Sequence, residues 1–125
     1  MKLCIFFALL LACSSCSLVP SKDAPNPWLK VELDLAEIDG NGLRGPQDGK
    51  VAISYEFAIP NTVQCKTEVR AIDASVQFMP GSVGRIGASK HESLCVGTTG
   101  PDFRDVLGRL AELPYVQRII QCHFE

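Results

Sequence analysis

The strongest constraint on the fold is a run of ten residues with alternating polarity, KVAISYEFAI at positions 50–59. Large apolar side chains occupy every second position, and small or polar side chains stand between them. Because successive side chains of a strand point to opposite faces, this period of two predicts a strand with one face against a core. The inward side chains of that strand are Val51, Ile53, Tyr55, Phe57 and Ile59.

The segment after this strand changes to the periodicity of a helix. Asn61 and Thr62 are both suitable N-caps. Cys65, Val69 and Ile72 follow at i, i+4 and i+7, on one helical face. The sequence therefore predicts a helix that ends near residue 72.

The rest of the chain repeats this succession of extended and helical patterns. Extended patterns are predicted over 72–78, 91–97 and 115–125, and an amphipathic helix over 98–113, which Pro114 ends. From residue 50 onward the order is therefore strand, helix, strand, strand, helix, strand.

This order predicts an α+β fold with the ferredoxin-like βαββαβ arrangement, a plait in which a four-stranded antiparallel sheet carries both helices on one face. The plait core covers about residues 50–125. The alternating segment 28–35 adds an N-terminal strand, which we expect at a sheet edge. The alternative is a β-rich sandwich, in which residues 61–78 form one long strand.

Strand alternation also predicts which side chains face the helices. It places Leu94, Val96 and Cys122 toward the helices, and it leaves Cys95 and Ile119 on the open face of the sheet. That open face carries no aromatic side chain, and the formal net charge of the chain is −2. RNA-binding sheets of this architecture stack bases on aromatic residues, and nucleic-acid surfaces are basic. We therefore expect no nucleic-acid partner.

The first twelve residues have the composition of a leader. Lys2 precedes an apolar run, 3–12, of ten residues, whereas a membrane-spanning helix needs roughly 20. The sequence LLAC at 10–13 resembles the lipobox of bacterial prolipoproteins. That resemblance implies a signal peptide over 1–12, cleavage before Cys13, and acyl chains on Cys13 that anchor the protein in a membrane.

Two alternatives to this anchor stay open. Cys16 is a second acceptor for the lipid, although the preceding residues match the lipobox less well, and an ordinary secretory leader would release a soluble periplasmic or secreted protein. The Ser- and Pro-rich segment 13–27 predicts a flexible tether, followed by one globular domain over 28–125. Ser14 stands where inner-membrane lipoproteins of this family carry Asp, which implies the outer membrane, with the domain facing the periplasm.

The loop EIDGNGLRGPQD at 37–48 carries oxygen ligands at the spacing of a calcium loop. Glu37, Asp39, Asn41 and Asp48 fall at positions 1, 3, 5 and 12 of that pattern. Glu replaces the usual Asp at position 1, Asp replaces the usual Glu at position 12, and strands flank the loop instead of helices. The sequence predicts Ca²⁺ as a candidate ligand here. The alternative is an acidic, glycine-rich connection between strands.

The glycine-rich loop 81–87 has the composition of an anion cradle, with Arg85 and Lys90 close in sequence. Phosphate loops, however, lead into a helix N-terminus, whereas this loop connects two predicted strands. We interpret it as a hairpin connection.

The number of cysteines that remain for disulfide bonds depends on which cysteine carries the lipid. Acylation of Cys13 and removal of the leader leave four cysteines, an even number compatible with two disulfides in an oxidising compartment. Cys65 and Cys122 are the favoured pair because both are predicted to point into the core. The alternative is that they are two buried thiols.

No nucleophile, base and orienting group stand at a spacing that implies catalysis, so we expect a protein that is not an enzyme. The sequence favours a small envelope lipoprotein that acts as a binding or assembly module, with a membrane contact through its lipid and a protein partner in the envelope. The alternative is a periplasmic inhibitor or immunity-type protein that blocks a toxin or a hydrolase.

Overall fold

The computed structural model describes residues 25–123. The leader and both candidate lipidation sites, Cys13 and Cys16, lie outside the described residues.

The described part of the chain contains two α-helices and seven strands. The helices are Val63–Ile72 (α1) and Phe103–Glu112 (α2). The strands are Val31–Glu32 (β1), Leu43–Arg44 (β2), Val51–Ala52 (β3), Ser54–Pro60 (β4), Gln77–Pro80 (β5), Glu92–Thr98 (β6) and Ile119–Gln121 (β7). The predicted α+β class is confirmed.

The main sheet has five strands in the order β1-β7-β4-β6-β5. β4 lies at its centre and pairs antiparallel with β6 and β7, while β5 pairs antiparallel with β6. β1 pairs parallel with β7, which makes the sheet mixed. β2 and β3 form a separate two-stranded antiparallel sheet. Residues 61–78 do not form the single long strand of the alternative sandwich, because α1 occupies most of that segment.

The extra N-terminal strand lies at a sheet edge, as predicted, but it is shorter than the segment 28–35. Only Val31–Glu32 pair with the sheet, between 3₁₀ turns at Pro27–Lys30 and Leu35–Glu37. The side chains of Asn26 and Asp34 accept main-chain N–H groups at the starts of these turns. Such local bonds compete with strand pairing, which explains why the alternating pattern is realised over two residues only.

The boundary between α1 and β5 also differs from the prediction. Thr62 caps α1, since its hydroxyl oxygen accepts the Cys65 N–H at 3.2 Å. The helix continues to Ile72, and the Asp73 N–H bonds to the Val69 carbonyl at 2.9 Å. The next strand therefore begins at Gln77, later than the predicted residue 72.

The main core lies between the sheet and the two helices. Tyr55 and Phe57 of β4 are buried in one cluster with Val69 of α1 and with Leu107 and Leu110 of α2. The inward phase predicted for residues 53–59 is thereby confirmed. The prediction is wrong for Val51, which is exposed because it belongs to the separate β2–β3 sheet and not to the central strand.

The opposite face of the sheet is covered by the loop 81–91 between β5 and β6. Ala88 of this loop packs with Leu94 and Val96 in a second apolar cluster, to which Cys122 also contributes. The prediction that Leu94, Val96 and Cys122 face the helices is therefore wrong.

The reason for this inversion is the register between strands. Phe57 pairs with Cys95, and Ala58 pairs with Leu94. Because paired residues share a face, Cys95 joins Phe57 in the main core and Leu94 faces the loop. Ile119, predicted on the open face, is likewise fully buried in the main core.

No helix within residues 25–123 is long and apolar enough to cross a membrane.

Candidate functional site

A cleft of about 320 Å³ opens between the end of the sheet, the turn after α1 and the start of α2. We call it the Tyr55 cleft. Polar groups from four segments converge on it above an apolar floor, which is the usual composition of a binding site. Its principal lining residues are Tyr55, Asp73, Ser75, Thr98, Asp102 and Phe103.

Tyr55 reaches the cleft from the central strand. Its ring stacks on Phe57, with centroids 6.2 Å apart and planes inclined by 16°. On the neighbouring strand its register partner is Gly97, which has no side chain to compete for the same space. The buried ring therefore directs its hydroxyl outward, where it donates a hydrogen bond to the Asp73 carboxylate.

Asp73 joins the end of α1 to the turn that leads into β5. One carboxylate oxygen accepts the Tyr55 hydroxyl, and the other accepts the Ser75 N–H at 2.9 Å and the Ser75 hydroxyl at 2.6 Å. The Ser75 oxygen in turn accepts the Thr98 N–H at 3.5 Å. This network connects α1, β4 and β6 through one carboxylate, so the wall of the cleft is held by polar bonds.

The electrostatics of the cleft are set by its two carboxyl groups and the phenol. Burial raises the pKa of Tyr55 above its usual value, and the hydrogen bond to Asp73 and the nearby charges of Asp73 and Asp102 raise it further. The phenol consequently remains a neutral donor. Asp102 stands at the N-cap position of α2, but its side chain makes no capping bond there.

This arrangement suits the binding of a cationic group. Two carboxyl groups flank the cleft, and Phe103 and Val106 supply apolar contact beneath them. The residues that line it include no histidine, cysteine or lysine.

The predicted calcium ligands are used in other ways in the structure. One oxygen of Asp39 accepts the N–H groups of Asn41 and Leu43 at 2.8 and 3.0 Å, and the other accepts the Lys50 ammonium at 2.8 Å. Glu37 pairs with Arg44 at 3.7 Å. The Lys50 bond and the two main-chain bonds lower the pKa of Asp39 to about 2.

Asn41 and Asp48 are exposed on the same loop. Among residues 25–123, no three His, Cys, Asp or Glu side chains form a group that could hold a metal ion. Calcium binding by residues 37–48 stays a prediction, for which the Lys50 ammonium is a direct competitor.

The loop is also fixed at its tip to the rim of the Tyr55 cleft. The Thr99 hydroxyl donates to the Gly42 carbonyl and accepts the Ile53 N–H at 2.9 Å. Gly42 has φ +78°, and a Cβ there would lie 2.4 Å from the Gly100 carbonyl oxygen. Position 42 therefore needs glycine for this close approach.

The two cysteines predicted to pair lie on different sides of the main sheet. Cys65 packs against the core under the helices, whereas Cys122 packs in the cluster under the loop 81–91. Both are free thiols in the structure, as is Cys95. The predicted Cys65–Cys122 disulfide is therefore not formed, because the sheet separates the two side chains.

The glycine-rich loop holds an anion, but one that the chain itself supplies. The Arg85 N–H lies 3.2 Å from both carboxylate oxygens of Glu56, which is only 2% exposed. Gly84 has φ +61°, and a Cβ there would lie 2.3 Å from the nearer Glu56 oxygen. The loop is thus a hairpin connection, as interpreted, that binds an internal carboxylate.

The sequence pattern does not predict the Tyr55 cleft. The pattern predicts the inward position of Tyr55, but it includes Asp73 in the predicted strand 72–78, whereas the structure begins this strand at Gln77. A signal was present in the sequence D-A-S at 73–75, since an Asp two residues before a Ser commonly forms a local turn bond.

No protein-family model, no curated protein and no solved structure matches this chain.

Proposed function

We propose that this chain is a small bacterial envelope lipoprotein, anchored through acyl chains on Cys13, whose domain acts as a non-enzymatic binding module. The Tyr55 cleft is its ligand site, and the ligand is a cationic group on a protein partner, such as a lysine side chain. In this proposal the anchor lies in the outer membrane and the domain faces the periplasm.

We further propose that the domain is a variant of the ferredoxin-like plait. The four strands after residue 52 have the order β7-β4-β6-β5, and both helices contribute to the core on one side of them. The departures are the parallel edge strand β1 and the loop 81–91 over the other face. With that face covered, the end of the sheet is left as a place for ligand binding.

The observation that carries the binding function is the composition of the cleft. Asp73 and Asp102 give it negative charge, and Phe103 gives it an apolar floor. A lysine side chain matches both, because its ammonium group pairs with carboxylates while its aliphatic stem packs on apolar surface. Thr98, exposed at the rim, adds a hydroxyl for the partner's main chain.

The test is titration of the full chain, in phosphatidylcholine nanodiscs, with the peptide acetyl-Ala-Lys-Ala-amide, followed by the amide chemical shifts of residues 98–100 and of Asp102. Asp102→Asn removes one charge from the cleft without breaking a capping bond. We expect it to weaken binding by about tenfold, as for the loss of one charge-assisted contact. Asp105→Asn is the matched control, since Asp105 lies three residues further on, outside the cleft, beside Arg109.

The proposed site is supported when Asp105→Asn binds like the unchanged chain and Asp102→Asn does not. Equal weakening of binding by the two substitutions would show a general effect of charge and would contradict the proposed site. Equally strong binding of acetyl-Ala-Glu-Ala-amide would contradict the proposal outright.

A further inference from the structure

The second surface of interest is the free edge of the main sheet at β5. Within residues 25–123 the strand order ends with β5, whose one neighbour in the sheet is β6. In an edge strand, main-chain N–H and C=O groups on the outer side have no partner strand, so the edge can accept an added strand. Residues Gln77–Pro80 form this edge.

A shallow groove of about 170 Å³ runs between this edge and α1. Phe78 forms its base. The Lys66 ammonium lies 5.9 Å from the centroid of the Phe78 ring, and the Arg70 guanidinium carbon lies 5.0 Å from it. Val63, which is 83% exposed, and Thr67 complete the groove on the helix side.

The two cations are placed one helical turn apart and are held over one aromatic ring. Among residues 25–123, the ion pairs involve Arg44, Lys50, Arg109 and Arg118, and neither Lys66 nor Arg70 has a carboxylate partner. Two neighbouring cations without a counter-charge repel each other at this spacing. An acidic side chain brought to the groove would remove that repulsion.

We propose that the β5 edge and the Lys66–Arg70 groove together bind an extended acidic segment of a partner protein by strand addition. The main chain of the segment pairs with β5. Because its side chains alternate between the two faces, every second one lies on the helix side, beside Phe78 and within reach of Lys66 and Arg70. Acidic residues at alternating positions therefore fit this edge.

This inference does not depend on the function proposed for the Tyr55 cleft. It uses a different surface and the opposite charge. The competing explanation is that the short length of β5, Pro80 and the nearby lysine only protect the edge from aggregation, as such features do in many sheets.

The test uses the full chain in phosphatidylcholine nanodiscs and the peptide acetyl-(Val-Glu)₃-amide. The readouts are the binding affinity and amide hydrogen exchange at residues 77–79. We expect exchange at these amides to slow when the peptide binds. The double substitution Lys66→Gln/Arg70→Gln should weaken binding by about fivefold or more, as expected for the loss of two exposed ion pairs.

The control is Lys90→Gln/Arg109→Gln, which also removes one lysine and one arginine but lies outside the groove. It should bind the peptide like the unchanged chain. Slower exchange at 77–79 together with this difference supports the proposal.

The proposal is overturned by unaltered exchange at 77–79, by equal weakening in both double variants, or by equal affinity for acetyl-(Val-Lys)₃-amide. Protection of 77–79 by discs containing phosphatidylglycerol, and not by the acidic peptide, would assign the groove to the membrane and also overturn it.

Discussion

The ring of Tyr55 occupies the space directly above Gly97 on the neighbouring strand. A Cβ atom at position 97 would lie 2.4 Å from the Tyr55 ring carbon Cζ and 2.5 Å from its hydroxyl oxygen. Both distances are far below van der Waals contact. The orientation of Tyr55, and with it the wall of the cleft, therefore depends on the absence of a side chain at position 97.

From this relationship we predict that Gly97→Ala displaces the Tyr55 ring and lowers the free energy of unfolding by about 1–3 kcal/mol, as for other overpacked cores. Chemical denaturation followed by circular dichroism measures the change. Gly40→Ala is the control, because nothing lies within 4 Å of a Cβ at that position and its φ is not positive. An unfolding free energy equal in the two variants would show that the ring adjusts without cost.

The contrast between β4 and β6 explains how far the sequence can predict this fold. In β4 the large apolar residues occur only at every second position, so the face on which Tyr55 and Phe57 lie could be predicted. In β6 the apolar residues Leu94, Cys95 and Val96 are consecutive, and both faces of the strand are buried. Only the pairing with β4 decides which of them faces the helices, and that pairing is a long-range property.

The candidate site depends on the same kind of long-range information. Tyr55 and Asp73 are separated by 18 residues and meet only because α1 ends at Ile72. Helix boundaries are set partly by tertiary contacts. The local pattern also fitted a strand that begins at Ile72, so it did not predict the contact between Tyr55 and Asp73. The loop 81–91 was recognisable from its glycines, but its bond to Glu56 was not.

The ion pair between Asp39 and Lys50 predicts a pH dependence. The folded-state pKa of Asp39 is about 2, below its usual value of 3.8. A lowered pKa means that the carboxylate stabilises the fold above about pH 4 and that this contribution is lost as the pH falls toward 2. In Lys50→Gln, we expect the Asp39 pKa, measured by NMR titration of its carboxyl carbon, to rise toward the usual value.

The control for this titration is Arg109→Gln, which removes a cation that pairs with Asp105 instead. It should leave the Asp39 pKa where it is. The same pair of variants tests the calcium prediction, because Lys50→Gln removes the competing ammonium and should bind Ca²⁺ more tightly in calorimetry. No heat of binding in either chain would reject calcium at this loop.

The three described thiols should differ in reactivity. Burial raises the pKa of Cys95 to about 12, and this side chain has no exposed surface. Since the thiolate is the reactive form, Cys95 should react with iodoacetamide only after unfolding. Cys65 and Cys122 are half-buried and should react first in the native chain, as measured by peptide mass spectrometry. A native chain in which these two are found joined would contradict their separation by the sheet.

The proposed lipid anchor predicts a different behaviour for the two candidate lipidation sites, Cys13 and Cys16. In cells fed an alkyne analogue of palmitate, Cys13→Ser should abolish labelling of the chain and its globomycin-sensitive processing, because the acceptor thiol is lost. Cys16→Ser should retain both, and it serves as the matched control. The reverse pattern would move the anchor to Cys16, and processing without labelling in the unchanged chain would favour plain secretion.

The bond between Glu56 and Arg85 predicts that one carboxylate holds the loop 81–91 on the sheet. Glu56→Ala leaves the Arg85 N–H without this acceptor beneath the loop. We expect the free energy of unfolding to fall by about 1–3 kcal/mol. Amide hydrogen exchange at Arg85 and Ala88 should become faster, because Ala88 packs the loop onto the sheet. Glu37→Ala is the control, since Glu37 is an exposed carboxylate on another loop. If exchange in the loop were equally slow in both variants, apolar packing by Ala88 alone would be sufficient to hold it.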